Sequence, residues 1–231
     1  MNGGAVHLFV FDTMADWEAA YAIAGINNPQ FQLAPGRYHV VTAGTSREMV
    51  TTIGGVRIQP EVALGDVSPN ASAMLILPGG QSWERGANLE AVDKARDFVS
   101  AGVPVAAICA ATLALARAGL LDDREHTSNA PEYLTASGYR GACLYRPLPA
   151  ITDKNVTTAA GISPVDFAYE IFKVLNLYSS AALEAWYALF KHGDASRYYE
   201  LVRETPDTRK RNDSCANPHP QSVSSALHFS S

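Results

Sequence analysis

Cysteine is scarce in this chain of 231 residues: Cys109, Cys143 and Cys215 are the whole set, and no C-x-x-C occurs. That excludes a disulfide framework and a thiolate zinc site, so each thiol needs its own explanation. A basic excess is missing too. Lys and Arg number 18 against 23 Asp and Glu, a net charge of −5, which argues against a nucleic-acid partner. No run of about 18 apolar residues exists, so no spanning helix and no membrane partner are expected. No basic segment precedes the apolar run Val6–Phe11, which Asp12 ends and which is too short for a secretory core; the expectation is a cytoplasmic protein. Phosphate-loop, dinucleotide, zinc-protease and serine-elbow motifs are all missing, as are internal repeats. What remains is ordinary globular composition, 47 % apolar and 18 % charged. A chain of this length can bury a core without metals or disulfides. No metal and no cofactor are expected.

Short continuous apolar runs alternate with helical patterns. Val6–Phe11, Arg37–Ala43, Ala73–Leu77 and Pro104–Ile108 read as strands buried on both faces. Asp16–Ala24, Asn88–Ala101, Thr112–Ala118 and Pro164–Leu175 read as helices, the last with Pro in its first turn. Val56–Ile58 and Glu61–Leu64 read as a small hairpin or edge. Strand–helix alternation predicts a mostly parallel sheet covered on both sides, an α/β sandwich. Sites in such sheets lie at the carboxyl ends of the strands. Three of those ends carry unusual residues: Asp12 to Glu18, Pro78 to Gly80, and Cys109. The expected organisation is an α/β domain over residues 1–177, a helical appendage over 178–204 rich in aromatics, and a disordered polar tail over 205–231. The aromatic appendage either packs on the domain or serves a partner.

Cys109 sits where an apolar strand meets a helix of small residues, Ala110, Ala111 and Thr112. Such a junction forces a tight turn and presents the side chain at the sheet's end. The helix N-terminus favours thiolate over thiol. Its first N–H, on Ala110, is placed to hold a developing oxyanion, and Gly79–Gly80 can bring a second N–H close. Cys143 lacks this context and is expected to be packing; Cys215 falls in the tail. Trp83, after the Gly80 turn, together with Trp17 and Tyr133 either lines a small apolar pocket or packs in the core and rim.

The segments LILPGG (Leu75–Gly80), VPVAAICAATLALARAGLL (Val103–Leu121) and TTAAGISPVDFAYEIFKVL (Thr157–Leu175) resemble the DJ-1/PfpI superfamily of the class I glutamine amidotransferase-like fold. That group includes intracellular proteases, the Parkinsonism-associated deglycase and isonitrile hydratase. MADWEAA (Met14–Ala20) resembles its first helix, and the likeness spans roughly residues 5 to 177. The resemblance implies a flavodoxin-like three-layer sandwich and usually a homodimer. It implies that Cys109 is the reactive cysteine, Glu18 the carboxyl group bonded to it, and Gly80 and Ala110 the backbone donors. A protonated Glu beside a thiolate can donate a short hydrogen bond and later act as acid or base. Asp16 points to another helix face, as a weaker candidate or a helix cap.

The pattern departs from its relatives in three places. The protease branch carries His after the cysteine, where this chain has Ala110. Glutaminases use G-x-C-x-G and a later His-x-Glu, and neither is present. In the slot where the deglycase branch carries a His, this chain has Asn129, with His126 three residues earlier and within possible reach of the site. Cys and Glu without an assured histidine suit a small, already activated electrophile: a 2-oxoaldehyde or an isonitrile, as the resemblance supplies them. Two uses of the thiol stay open at this point. One is a cysteine-dependent hydrolase or lyase on such a small molecule. The other is a redox sensor or stress-response protein whose thiol oxidises.

Overall fold

The computed structural model describes residues 4–205. Cys215 and the tail expected after Thr205 lie outside the described residues, as do Met1 to Gly3. The elements follow in chain order: β1 Gly4–Phe9, α1 Asp16–Asn27, β2 Tyr38–Gly44, β3 Val50–Thr51, β4 Arg57–Ile58, β5 Val62–Ala63, β6 Ser72–Leu77, α2 Gln81–Glu84 and α3 Leu89–Ser100. Then come β7 Val105–Ile108, α4 Ala110–Arg117, α5 Pro131–Thr135, β8 Ala150–Asp153, β9 Val156–Ala159, α6 Pro164–Val174, α7 Ser180–His192 and α8 Arg197–Arg203.

Seven strands form one sheet in the order β5-β2-β1-β6-β7-β9-β8. All neighbours are parallel except β8, which runs antiparallel to β9. Strands β6 and β7 carry no polar side chain from Met74 to Leu77 or from Val105 to Ile108, and all eight of those residues are fully buried. Continuous apolar strands are what a sheet covered on both faces requires. Helices α1 and α6 pack together on one side, and α3 lies against β6 and β7. Among the described residues no helix is long and apolar enough to cross a membrane.

Strand order doubles back beside β1: the chain goes from β1 outward to β2, then returns to β6 on the other side of β1. The carboxyl ends of β1 and β6 therefore diverge into a crevice, the place where open α/β sheets bind ligands. Asp16–Glu18 and Gly79–Gly80 sit on the connections leaving those two strand ends, and Cys109 sits on the one leaving the neighbouring β7.

Several expectations needed revision. Of the hairpin or edge expected at Val56–Ile58 and Glu61–Leu64, Val62–Ala63 is an edge strand of the main sheet beside β2, while the hairpin forms between β3 and β4, Val50 facing Ile58, rather than between the two expected segments. The β8–β9 hairpin and the short helices α2 and α5 carry too few residues to show periodicity. The hairpin still had a local signature: its turn residues Lys154 and Asn155 have φ of 45° and 62°, the paired positive values of a two-residue turn matched to strand twist.

The segment expected as an appendage forms α7 and α8. α7 buries Ala182, Leu183, Ala185 and Trp186, and Trp186 packs edge-on against Phe172 of α6 at 4.9 Å between ring centroids. The end of α8 is pinned by Leu201, which is buried.

Candidate active site

Cys109 is the residue on which strand β7 turns into helix α4. Its backbone has φ 58° and ψ −126°, a conformation that costs a non-glycine residue of order 1–3 kcal/mol. The turn is held open from both sides: Cys109 N–H donates to Ala159 O at 3.0 Å, and Thr112 Oγ donates back to Cys109 O at 2.6 Å. The side chain is thereby lifted off the sheet, half-buried.

Glu18, one turn into α1, is 2 % exposed and aims at the same point. Gly79 N–H donates to its Oε2 at 2.5 Å, and the carboxyl group is hydrogen-bonded to the Cys109 thiol. Burial pushes the Glu18 carboxyl up to about 7, against the opposing pull of the Gly79 and Cys109 hydrogen bonds. For the thiol the causes run the other way from the sequence expectation. Burial first, and the neighbouring Glu18 charge second, push Cys109 up to about 11, although Asn129 and the Ala110 N–H act to lower it. The Ala110 N–H at the helix N-terminus pulls toward the thiolate, while burial and the Glu18 charge pull toward the thiol. A helix end supplies a partial charge, whereas desolvation and a full carboxylate outweigh it. Moving the thiol proton to Glu18 creates no net charge, and it removes the carboxylate that opposes ionisation.

Asn129 supplies the third partner. Its Nδ2 donates to Cys109 Sγ at 3.4 Å, and its Oδ1 accepts from Gly161 N–H at 2.8 Å. A backbone N–H can only donate, so it dictates which end of the amide faces the sulfur. The segment carrying Asn129 is tied down by its neighbours: Thr127 N–H donates to Thr158 Oγ at 2.9 Å, and the hydroxyls of Ser128 and Thr112 meet at 2.6 Å.

Gly161 was not singled out from the sequence, where it only follows two alanines at a strand end. A Cβ there would lie 2.7 Å from Cys109 Sγ, and one at Gly79 would lie 2.7 Å from both Cys109 Cβ and Glu18 Oε2. Both positions need glycine because sulfur and carboxylate fill the space. Gly161→Ala is expected to destabilise the fold by about 1–3 kcal/mol and, by displacing the sulfur, to lower catalytic efficiency about 10²-fold; denaturant unfolding and initial rates check both.

The sulfur opens on a cavity of about 160 Å³ lined in part by Trp17, Glu18, Ile53, Gly80, Glu84 and Ala110. Gly80 and Ala110 both line this cavity, and Ala110 N–H is directed at the sulfur. A larger cavity of about 370 Å³, lined by Tyr21, Phe31, Trp186 and Phe190 among others, lies between α1 and α7 and contains no nucleophile.

Four other expectations are corrected. Trp83 does not line the cavity. It is fully buried, donates its indole N–H to Pro78 O at 2.8 Å, and packs edge-on against Phe9 and Phe11. It supports the Pro78–Gly80 turn from beneath. Asp16 neither caps α1 nor meets the thiol: it accepts from Thr52 Oγ at 2.5 Å and from Gly54 N–H at 2.7 Å, anchoring the β3–β4 loop. Cys143, expected as packing, is exposed.

His126 does not reach the site. It is fully buried, with Nδ1 against Arg124 O at 2.8 Å and Nε2 against Tyr139 Oη at 2.9 Å. A carbonyl only accepts, so Nδ1 carries the proton and Nε2 accepts from the tyrosine. Burial lowers its pKa from the ordinary 6.5. The folded state therefore prefers neutral His126, and the stability this contributes is present above pH 6.5 and lost as pH falls. His126→Gln, which keeps one donor and one acceptor, is expected to flatten that part of the acid limb when unfolding free energy is measured from pH 7.5 to 5.

The model of the DJ-1/PfpI family matches residues 5–174. An uncharacterized protease of Bacillus subtilis (strain 168), YoaZ, is 38 % identical over 205 residues, covering 87 % of this chain and 98 % of that protein. The glutathione-independent glyoxalase DJR-1.2 of Caenorhabditis elegans is 28 % identical over 146 residues, 62 % of this chain and 77 % of its own. Among solved structures, a ThiJ/PfpI family protein from Bacillus anthracis superposes with a TM-score of 0.83 at 38 % identity, covering 89 % of this chain and 98 % of that one.

Proposed function

This chain belongs to the DJ-1/PfpI family, and from that premise we propose that it is a cysteine-dependent hydrolase or lyase acting on a small electrophile of the 2-oxoaldehyde type. Relatives in the family bear the names deglycase, glyoxalase and protease. The observation that carries the reading is the Cys109–Glu18 pair, hydrogen-bonded together and facing a cavity of only about 160 Å³. A cavity below the roughly 300 Å³ of drug-sized sites suits a substrate of a few heavy atoms.

The chemistry follows from the pair. As sulfur adds to the aldehyde carbon, the thiol proton passes to Glu18, and the carbonyl oxygen becomes a hemithioacetal oxyanion beside the Gly80 and Ala110 N–H groups. Glu18 returns that proton to the oxygen. Its carboxylate then takes the proton from the former aldehyde carbon, giving an enediolate, and delivers it to the adjacent carbon, while the hydroxyl proton on the first carbon passes to the adjacent oxygen, leaving a 2-hydroxy thioester. Water cleaves the thioester to a 2-hydroxy acid and restores the thiol. One water is consumed and no external oxidant or reductant is needed. Asn129 orients the sulfur throughout. A peptidase would require an imidazole against the sulfur, and Asn129 holds that side instead. A sensor role would require the thiolate at rest, which burial and the Glu18 charge oppose.

The test is formation of lactate from methylglyoxal by the wild-type protein and by Cys109→Ala, with an isonitrile assayed in parallel for hydration to the formamide. Methylglyoxal turnover confined to the wild type is expected. Equal rates in both proteins would overturn the reading, and turnover of the isonitrile alone would replace the oxoaldehyde as substrate.

A further inference from the structure

The cavity over Cys109 has a charge pattern that the chemistry above does not use. Two of its lining residues are carboxylic acids, Glu18 and Glu84, and one is the indole of Trp17, which is 53 % exposed. No Lys, Arg or His lines it. Glu84 is an exposed residue of α2, and its Oε1 accepts from Tyr133 Oη at 3.0 Å. Among the described residues it makes no ion pair. The nearby guanidinium of Arg117 is committed elsewhere, donating to the backbone oxygen atoms of Trp83 and Glu84 at 3.1 and 3.5 Å. The Tyr133 hydroxyl is held protonated by burial and by this same contact with Glu84, so the pair presents one net negative charge.

We infer that Glu84, with Trp17, selects the charge of the substrate: the cavity favours electrophiles carrying a positive group and rejects those carrying a carboxylate. This rests on the cavity being the site of turnover. A cationic group gains a carboxylate partner and an aromatic face. An anionic group meets Glu84 unrelieved by any cation on the wall. Glu84 is a specificity-determining residue in this scheme, while Glu18 remains committed to the sulfur.

Acetamidinium, acetamide and acetate are nearly isosteric, unreactive toward thiols on the assay timescale, and small enough for the cavity. Their dissociation constants are to be read by ligand-observed NMR at pH 7.5 and low ionic strength, without any need for turnover. The wild type is expected to bind acetamidinium about tenfold tighter than acetate, and Glu84→Gln to cut that ratio about fivefold. Trp17→Leu is expected to weaken acetamidinium more than acetamide. Glu90→Gln, which removes an equal charge from a residue outside the cavity lining, is expected to leave the ratio as it is. An unchanged ratio in Glu84→Gln, or acetate bound as tightly as acetamidinium by the wild type, overturns the inference. A wild type that keeps the charge ratio but turns over no methylglyoxal supports charge selection while overturning the catalytic reading.

Discussion

Cys109→Ala is expected to lower the methylglyoxal kcat/KM by about 10⁴-fold or more, the scale on which removal of a covalent nucleophile acts. The size follows from the site. No second thiol, hydroxyl or amine lines the cavity. The fold should survive. Alanine leaves the φ of 58° at position 109 unchanged, so the strained turn stays. Near-wild-type circular dichroism and unfolding midpoint are expected alongside the loss of rate. Cys109→Gly makes a second comparison. Glycine populates that backbone region without strain, so it is expected to unfold at higher denaturant than Cys109→Ala while being equally inactive. Retained turnover in either variant would sink the nucleophile assignment.

Glu18→Gln is expected to move activity and stability in opposite directions. On activity, the amide cannot accept the thiol proton, and kcat should fall by about 10²–10⁴-fold. On stability, the folded protein holds the Glu18 carboxyl at about 7 rather than at the ordinary 4.5. Its folded-state contribution is therefore fully present below pH 4.5 and lost as pH rises through about 7. Glutamine titrates nowhere, still offers an oxygen to Gly79 N–H, and can donate to the sulfur. The variant is expected to match the wild type at pH 4.5 and to exceed it at pH 8 by up to about 3 kcal/mol. Urea unfolding at the two pH values measures the difference directly. A variant less stable than wild type at pH 8 would show that the carboxylate is stabilised in place. The trade is typical of a group kept for its chemistry at a cost to the fold.

The element types were legible where the chain repeats a pattern. LILPGG and PVAAIC are unbroken apolar runs ending on residues that do not belong in strands, and the structure has a strand end at each. Short pieces were lost for want of periods: α2 spans Gln81–Glu84, and β3, β4 and β5 have two residues apiece. Trp83 shows the same limit at the level of one side chain. Its position after Gly80 is equally consistent with facing the cavity or the core, and only the presence of Phe9 and Phe11 beneath it decides for the core.

From composition and local pattern alone came the parallel sheet, the strand–helix turn at Cys109 and the gathering of Asp12–Glu18, Pro78–Gly80 and Cys109 at strand ends, because hydrophobic period and turn chemistry are written into adjacent residues; the pairing of Glu18 with the thiol came from the family resemblance. Tertiary structure alone decided that Asn129 rather than His126 meets the sulfur, that Gly161 must lack a side chain, and that burial and the Glu18 charge oppose the ionisation the helix N-terminus favours. Those outcomes depend on desolvation and on contacts between residues 20 to 91 positions apart, and the free energy of a buried charge is set by everything around it rather than by its neighbours in the chain.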